Sequence, residues 1–256
     1  MAESGDGREM SFWDHLEELR GSLFRSILVV CLLAVLGFIF KRPLFYVVFL
    51  PASPDFFIYR FLGWDFTMEL INVEVSAQFF VHLQAAFGAA LILGFPYLVW
   101  ELWRFIAPGL YKRERKAVGT AFLMATGLFY LGVAVGYFLV LPACVQFFLS
   151  YSVSEMITNS ITIASYMSMF TSTVLMVGIA FEFPTVIWLL SRLGVLTRSQ
   201  LRKGRRYALV AVLSLAAVVT PADPLSMLIV AAPLYLLYEI AILLCSKSPE
   251  KSEAGE

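Results

Sequence analysis

Long apolar stretches alternate with short polar connections along this chain. An apolar run of roughly 18 or more residues is long enough to cross a bilayer as an α-helix. The pattern therefore predicts an all-α membrane protein with six transmembrane helices. Their predicted bounds are residues 23–40, 75–100, 117–140, 164–190, 207–219 and 225–245.

The last two predicted spans differ from the rest. Span five, 207–219, has about 13 apolar residues, which make roughly 20 Å of helix against a hydrocarbon core of ~30 Å. Helices five and six are predicted to be short and to favour a thinned membrane beside the protein. The alternative, a boundary displaced by a few residues, stays open.

The segments between and before the spans complete the organisation. Phe12, Leu16, Leu19 and Leu23 recur at helical spacing and predict a short amphipathic helix that precedes span one. A polar and aromatic loop is predicted after span one, from about Pro43 to Val73, and span three is predicted to stop near Pro142. Three regions result. They are a cytoplasmic N-terminal segment over 1–22, the transmembrane domain over 23–245 and a disordered cytoplasmic tail over 246–256.

Composition and charge narrow the class of protein. The chain is 60% hydrophobic and 15% charged, with a mean hydropathy of +0.80, which excludes a soluble domain of this size. Lys and Arg are concentrated in the second and fourth connections, which predicts that these connections and both termini are cytoplasmic. The net charge of zero gives no reason to expect nucleic-acid binding. The three cysteines form no metal or disulfide pattern, so neither a metal nor a cofactor is expected.

Glu182 is the most distinctive single residue, since it is an acid inside the otherwise apolar span four. A carboxylate at mid-membrane costs about 2.5–3.5 kcal/mol on insertion scales, so it is expected to face a polar cavity or a partner. Pro184 follows and can kink the helix. Gln78, His82 and Gln84 are expected to face the same cavity, although His82 alone is more typical of packing. The alternative is a buried glutamic acid hydrogen-bonded to a neighbouring helix.

The second connection contains one acid, Glu114, among several bases. Such clusters are usually solvated or lipid-facing. A carboxylate here can also accept a bidentate pair from an incoming arginine, worth roughly 1.5–3 kcal/mol when partly desolvated. Glu17, Glu18 and Arg20 approach the membrane from the same side.

No catalytic motif occurs in the sequence, so an enzyme is not expected. A secondary transporter that uses Glu182 as a proton carrier is the main alternative to a binding scaffold. The lack of an inverted repeat and the presence of only one strongly buried acid count against it. An intramembrane enzyme is a weaker alternative, because no nucleophile–base set is present.

Four motifs together resemble the TatC family, the core subunit of the twin-arginine protein translocase. They keep their order and spacing from about Ser11 to Cys245. HLEELR at 15–20 resembles the N-terminal signature, and FIAPGLYKRER at 105–115 looks like the first cytoplasmic-loop motif. FEFP at 181–184 and TPAD at 220–223 are similar to the buried-glutamate and fifth-span motifs.

The resemblance implies a six-helix, glove-shaped and concave receptor in the inner membrane for folded proteins with twin-arginine signal peptides. It implies that Glu114 binds the arginine pair, that Glu18 contributes, and that Phe105 and Arg20 belong to the same cytoplasmic surface. Glu182 is implied to contact the single-span partners TatA and TatB within the concave cavity. Other copies of the chain, membrane lipids and the proton-motive force complete the expected system.

The resemblance also implies roles for residues outside the motifs. Pro51, Phe79, Tyr130 and Asp223 match positions that matter in the family. Where some members carry glutamine four residues after the Asp223 position, this chain has Met227. A polar contact with TatA or TatB at that site is therefore in doubt.

Overall fold

The computed structural model describes most of the chain, in six stretches. They are residues 12–63, 68–106, 115–154, 159–192, 195–219 and 224–245. Two of the residues predicted to be functional, Glu114 and Asp223, lie outside them.

The first helix is one continuous element. Helix α1, Phe12–Ile39, joins the predicted amphipathic segment and span one without a break, and its 28 residues extend about 42 Å. It packs chiefly against α4, Ala77–Ile106, which corresponds to span two. Small buried residues of α4, such as Ala86 and Ala90, allow the two backbones to approach closely.

The first connection is helical where a loop was predicted. Helix α2, Lys41–Phe49, leads through a 3₁₀ turn, Leu50–Ala52, into the short helix α3, Phe57–Leu62. The prediction was wrong because two aromatic residues of this segment pack into the hydrophobic core and are not exposed in a loop. Phe56 and Tyr59 are almost fully buried and form part of the hydrophobic core with α4 and with α7, Ile163–Ala180.

Tyrosine hydroxyls satisfy backbone carbonyls that this connection leaves unpaired. Tyr59 donates to the carbonyl oxygen of Pro51, and Tyr166 donates to that of Val48, each over 2.7 Å. A buried carbonyl without a partner is costly, so these bonds help to hold α2 and α3 on the bundle.

A small parallel sheet joins the first and third connections. Strand β1, Leu70–Ile71, pairs with β2, Ile161–Thr162, with Leu70 opposite Ile161. The two segments are about 90 residues apart in sequence, so the pair closes one end of the bundle.

The third span continues past the proline at which it was predicted to stop. Helix α5, Arg115–Val135, passes through a π-helical segment, Gly136–Val140, into α6, Leu141–Ser150. Pro142 lies in the first turn of α6, where the wider π turn accommodates a residue without an amide proton. The helix therefore continues past Pro142 by way of the π-helical segment and does not end there.

The fourth span is interrupted at Glu182. Helix α7, Ile163–Ala180, ends just before it, and α8, Phe183–Arg192, begins just after it. Pro184 in the first turn of α8 cannot donate a backbone hydrogen bond, which accounts for the break. The kink expected from the sequence is therefore present.

Helices α5 and α7 approach each other very closely beside this break. A Cβ atom added at Gly132 of α5 would lie 2.7 Å from the Cβ of Phe181 and 2.9 Å from the Cα of Gly178. The crossing therefore requires glycine on α5.

The last two spans differ in length. A capped short helix, α9, Arg198–Lys203, precedes α10, Arg205–Val219, and α11, Pro224–Leu244, follows. The 15 residues of α10 extend about 22 Å, short of a ~30 Å hydrocarbon core, whereas the 21 residues of α11 extend about 32 Å. The prediction of a short helix holds for α10, and the apolar part of α11, Met227–Leu243, is also shorter than the long membrane stretches of the described chain.

The described helices are those of a membrane protein. Five helical stretches are long and apolar enough to cross a membrane, and α11 contributes a shorter apolar helix over Met227–Leu243. The five stretches are Leu16–Ile39, Lys41–Phe61, Ala77–Phe105, Gly119–Ser150 and Ile163–Ser191.

Candidate functional site

Two acids and a base of the N-terminal motif lie near the start of α1, where Glu17 and Arg20 are exposed and Glu18 is half-buried. Glu18 forms no ion pair with a described residue, while Arg20 lies 3.9 Å from Glu17, a loose and fully solvated pair. Such a pair contributes little to stability. Phe105, at the end of α4, is half-buried. Glu114, predicted to bind arginine, lies outside the described residues.

A buried polar network lies directly next to these residues, and sequence reasoning missed it. The carboxylate of Glu101 on α4 accepts hydrogen bonds from Arg25 Nε and Nη2 and from Ser22 Oγ of α1, each over 2.9 Å. Tyr97 donates to the same carboxylate over 3.0 Å. Glu101 is only 3% exposed, so the expectation of a single strongly buried acid was wrong.

The network fixes α1 against α4 where both elements carry predicted site residues. Glu18 precedes Ser22 by four residues and Phe105 follows Glu101 by four, about 6 Å along each helix axis. Bidentate arginine–carboxylate pairs are directional as well as strong. The cluster therefore sets the relative position of the two helix ends.

Residue spacing was the signal that could have located this network. Ser22 and Arg25 are three residues apart on α1, and Tyr97 and Glu101 are four apart on α4, so each pair shares a helix face. The predicted end of span two at residue 100 put Glu101 outside the membrane, and its burial went unpredicted.

Glu182 lines a cavity of about 280 Å³ formed by α4, α5 and α8. Its Oε1 is buried without a hydrogen-bond partner among the described residues. Thr185 and Val186 of α8 line the same cavity, and the rest of its wall is mostly apolar. A carboxyl oxygen in such a place is costly unless a group from outside the chain pairs with it.

The Glu182 cavity extends along α4 toward Phe105. Its lining on α4 runs from Phe95 through Val99 to Trp103, two residues before Phe105. One apolar cavity therefore leads from the break in the fourth span to the helix end that the Glu101 network holds in place.

The remaining predicted residues are spread over the fold. Gln78 lines a different cavity, and His82 stacks on Phe38 with ring centroids 4.0 Å apart, as a packing histidine does. Neither lines the cavity of Glu182, contrary to expectation. Phe79 is largely exposed and contacts Phe38 edge to face.

Three further predicted residues contribute to packing in the structure. The hydroxyl of Tyr130 donates to the carbonyl oxygen of Ile92 over 3.1 Å. Pro51 is buried and its carbonyl accepts from Tyr59. Met227 is half-buried against the core between α10 and α11. Asp223 lies outside the described residues.

The fold and the site together define a polytopic helical membrane protein with an apolar binding cavity between its helices and a single acid in the cavity wall. In the described part of the chain, no group of three or more His, Cys, Asp or Glu residues could hold a metal ion. Comparison with known proteins shows the family of this membrane protein. The family model of the Sec-independent protein translocase protein (TatC) matches residues 14–233.

Curated relatives and solved structures agree with that match. The TatC protein of Deinococcus radiodurans is 36% identical over 91% of this chain and 84% of its own, and that of Blattabacterium sp. subsp. Periplaneta americana is 33% identical over 91% and 94%. A crystal structure of the twin-arginine translocase receptor TatC, in the detergent DDM, superposes with a TM-score of 0.76 at 31% identity, covering 91% of this chain and 99% of the other. A second TatC crystal structure gives a TM-score of 0.72 at 32% identity, covering 90% and 97%.

The chain belongs to the TatC family. It is therefore a component of a Sec-independent protein translocase, a protein of membrane transport and not a catalytic enzyme. The family resemblance and the all-α membrane fold predicted from the sequence are confirmed. Protein translocation by this family leaves the solute-transporter alternative without support.

Proposed function

We propose that this chain is the receptor for twin-arginine signal peptides and the scaffold on which the translocase assembles. It lies in the inner membrane with both termini in the cytoplasm, as the Lys and Arg content of its second and fourth connections indicates. Together with TatA and TatB it exports folded precursors across the membrane, and the proton-motive force drives this transport.

The position of Glu18 is the observation that carries the receptor role. Glu18 is half-buried, and its carboxylate has no ion pair with a described residue. It stands one turn before the network that fixes α1 against the end of α4. A free acid on a fixed support suits recognition of an arginine, because little conformational entropy remains to be lost on binding. Glu114, in the adjoining connection, supplies the second carboxylate.

The apolar part of the signal peptide follows the arginines into the cavity along α4. The lining by Val99, Leu102 and Trp103 supports this path, since these side chains connect the Phe105 end of α4 with Glu182. An apolar segment gains free energy by displacing lipid or water from such a wall. Arg20 and Phe105 belong to the rim of the same surface.

The receptor proposal predicts different effects for two adjacent acids. Glu18→Gln should weaken photocrosslinking to a twin-arginine precursor roughly tenfold or more, because one charge-assisted hydrogen bond is lost. Glu17→Gln removes the same charge one residue away, from the residue beside Arg20, and is expected to leave crosslinking nearly unchanged. Glu114→Ala should abolish crosslinking while the protein still inserts.

Two outcomes contradict the receptor role. Crosslinking that survives both Glu18→Gln and Glu114→Ala would remove the arginine site. An equal loss of crosslinking with Glu17→Gln would show that the effect comes from the general charge of the surface and not from Glu18 itself. A precursor with both arginines replaced by lysine, which cannot bind in the bidentate mode, provides the specificity control.

Glu182 anchors a partner helix in the second part of the proposal. A polar side chain of TatA or TatB pairs with its unpartnered oxygen, because an unpaired polar group is costly in lipid. Phe79, Tyr130, Pro51 and Asp223 contribute in this proposal to partner contacts on other parts of the fold.

Co-purification tests the anchor. Glu182→Leu should strongly reduce recovery of TatB or TatA with the tagged protein, whereas Glu182→Gln, which keeps a hydrogen-bonding group of the same shape, should retain much of it. Glu239→Gln changes a membrane-helix acid that already pairs with Arg205 and serves as the control. Full partner recovery and normal export with Glu182→Leu would refute the anchor.

A further inference from the structure

A second cavity, of about 470 Å³, lies at the end of α1 opposite the Glu18 end. It is separate from the cavity of Glu182 and is formed by α2, the start of α4 and the start of α7. Its lining residues are Lys41, Arg42, Phe45, Phe49, Gln78, Val81 and Ile163.

The polar groups of this cavity are unpaired cations and an amide. Lys41 and Arg42 are exposed, and neither forms a hydrogen bond or an ion pair with a described residue. Gln78 likewise has no partner in the described part of the chain. Arg25, Arg60 and Arg205, by contrast, are each paired with an acid. The cavity therefore carries two uncompensated positive charges.

No acid on the same helix offsets these cations. Helix α2 begins at Lys41, and no acid lies in its first turn. The C-terminus of α1 at Ile39 directly precedes it, so the opposite partial charges of the two helix ends largely cancel and the positive potential comes from Lys41 and Arg42. An anion is the ligand that this end of the cavity favours.

The remainder of the cavity is apolar and largely aromatic. Phe45 stacks on Phe49 with ring centroids 5.2 Å apart, and behind it His82 lies between Phe45 and Phe38. Val81 is buried beneath them. These rings form a rigid wall against which a hydrocarbon chain can pack. The ligand is therefore amphiphilic, with an anionic head and an apolar body.

The cavity lies at the depth of a lipid headgroup. Lys41 follows the last residue of α1, Ile39, by two positions, and α1 is apolar over the preceding span Leu16–Ile39. Cations just beyond an apolar helix lie at the membrane interface, where phosphate groups are abundant.

We propose that this cavity binds an anionic glycerophospholipid of the surrounding bilayer. Its phosphate contacts Lys41, Arg42 and the Gln78 amide, and an acyl chain packs on Phe45 and Phe49. The volume falls within the range of small-molecule sites. The site is independent of the receptor role, because it uses none of the residues assigned to the signal peptide.

Native mass spectrometry of the full-length protein tests the proposal. The protein is released from nanodiscs that contain equal amounts of phosphatidylglycerol and phosphatidylcholine. The wild type should retain phosphatidylglycerol in preference, and Lys41→Gln/Arg42→Gln should retain it roughly 30-fold less, at about 1 kcal/mol per cation. Lys41→Arg/Arg42→Lys, which keeps both charges, should behave like the wild type.

A matched pair of cations provides the control. Arg202→Gln/Lys203→Gln removes two adjacent exposed charges on α9, far from the cavity. It is expected to leave the preference for phosphatidylglycerol intact. An equal loss in this variant would show diffuse attraction to the whole protein and would overturn the site.

Competition distinguishes a lipid from a free anion. Short-chain phosphatidylglycerol should displace the retained lipid, while inorganic phosphate at the same concentration should not. Phe45→Ala should weaken retention without altering charge. Displacement by inorganic phosphate, or undiminished retention in Phe45→Ala, would show that the apolar wall plays no part and would refute a lipid site.

Discussion

At the scale of single residues, two glutamates of this chain differ in how far the hydrogen-bonding capacity of their carboxylates is satisfied. Glu101 accepts four hydrogen bonds from Arg25, Ser22 and Tyr97, whereas one oxygen of Glu182 has none among the described residues. An acid whose bonds are complete within the chain serves the structure, and an acid left incomplete is available to a partner. The sequence alone marked Glu182, because it is the acid inside an apolar span. It missed Glu101, because Arg25 and Ser22, which donate three of its four hydrogen bonds, lie on another helix.

Substitutions at the Glu101 network separate its role from that of the signal-peptide acids. Glu101→Leu removes every acceptor and should lower both the thermal midpoint and the crosslinking of a twin-arginine precursor. Glu101→Gln keeps two polar atoms and should lower each far less. Replacing Arg25 and Glu101 together by leucine should restore part of the thermal stability relative to Glu101→Leu alone, because no unpaired charge remains, although the hydroxyls of Ser22 and Tyr97 still lack their acceptor.

Thermal unfolding in detergent and precursor crosslinking are the two measurements for this network. A positioning role requires that crosslinking stays low in the double variant even where stability recovers. If crosslinking recovers together with stability, the network acts on folding alone.

At the scale of elements, the breaks in the helices could be predicted only in part. The interruption at Glu182 follows from Pro184 and was expected. Pro142 was expected to end span three, but the π-helical segment Gly136–Val140 allows the helix to continue to Ser150. The outcome depends on whether neighbouring helices leave room for a wider turn, which sequence does not state.

The crossing of α5 and α7 supplies an element-scale prediction. Gly132→Ala places a methyl group 2.7 Å from the Cβ of Phe181, so it should destabilise the protein by about 1–3 kcal/mol through overpacking. Gly127→Ala, on the same helix with nothing within 4 Å, should be neutral or stabilising by up to about 1 kcal/mol. Thermal midpoints of the two purified variants make the comparison. Equal midpoints would mean that the crossing tolerates a wider separation.

At the scale of the whole molecule, the fold class was predictable and the first connection was not. Hydropathy located the apolar helices, since a span must satisfy its backbone internally. The helices α2 and α3 escaped prediction because their core partners, including Tyr166, lie about 110 residues further along the chain. Sequence spacing reveals a face of one helix but not which distant helix covers it.

The parallel pairing of β1 with β2 has a consequence for how this chain is made. Between the two strands the chain passes once through α4 and once back through α5 and α6. Strands can pair only on one side of a membrane, so those two passages must cross in opposite directions. The pairing cannot form until Ile161 and Thr162 have been synthesised and both strands have reached the same compartment. The strand pair therefore forms late during synthesis of the chain. Once it has formed, the two membrane crossings between the strands lie within a loop of backbone that the strand pair closes.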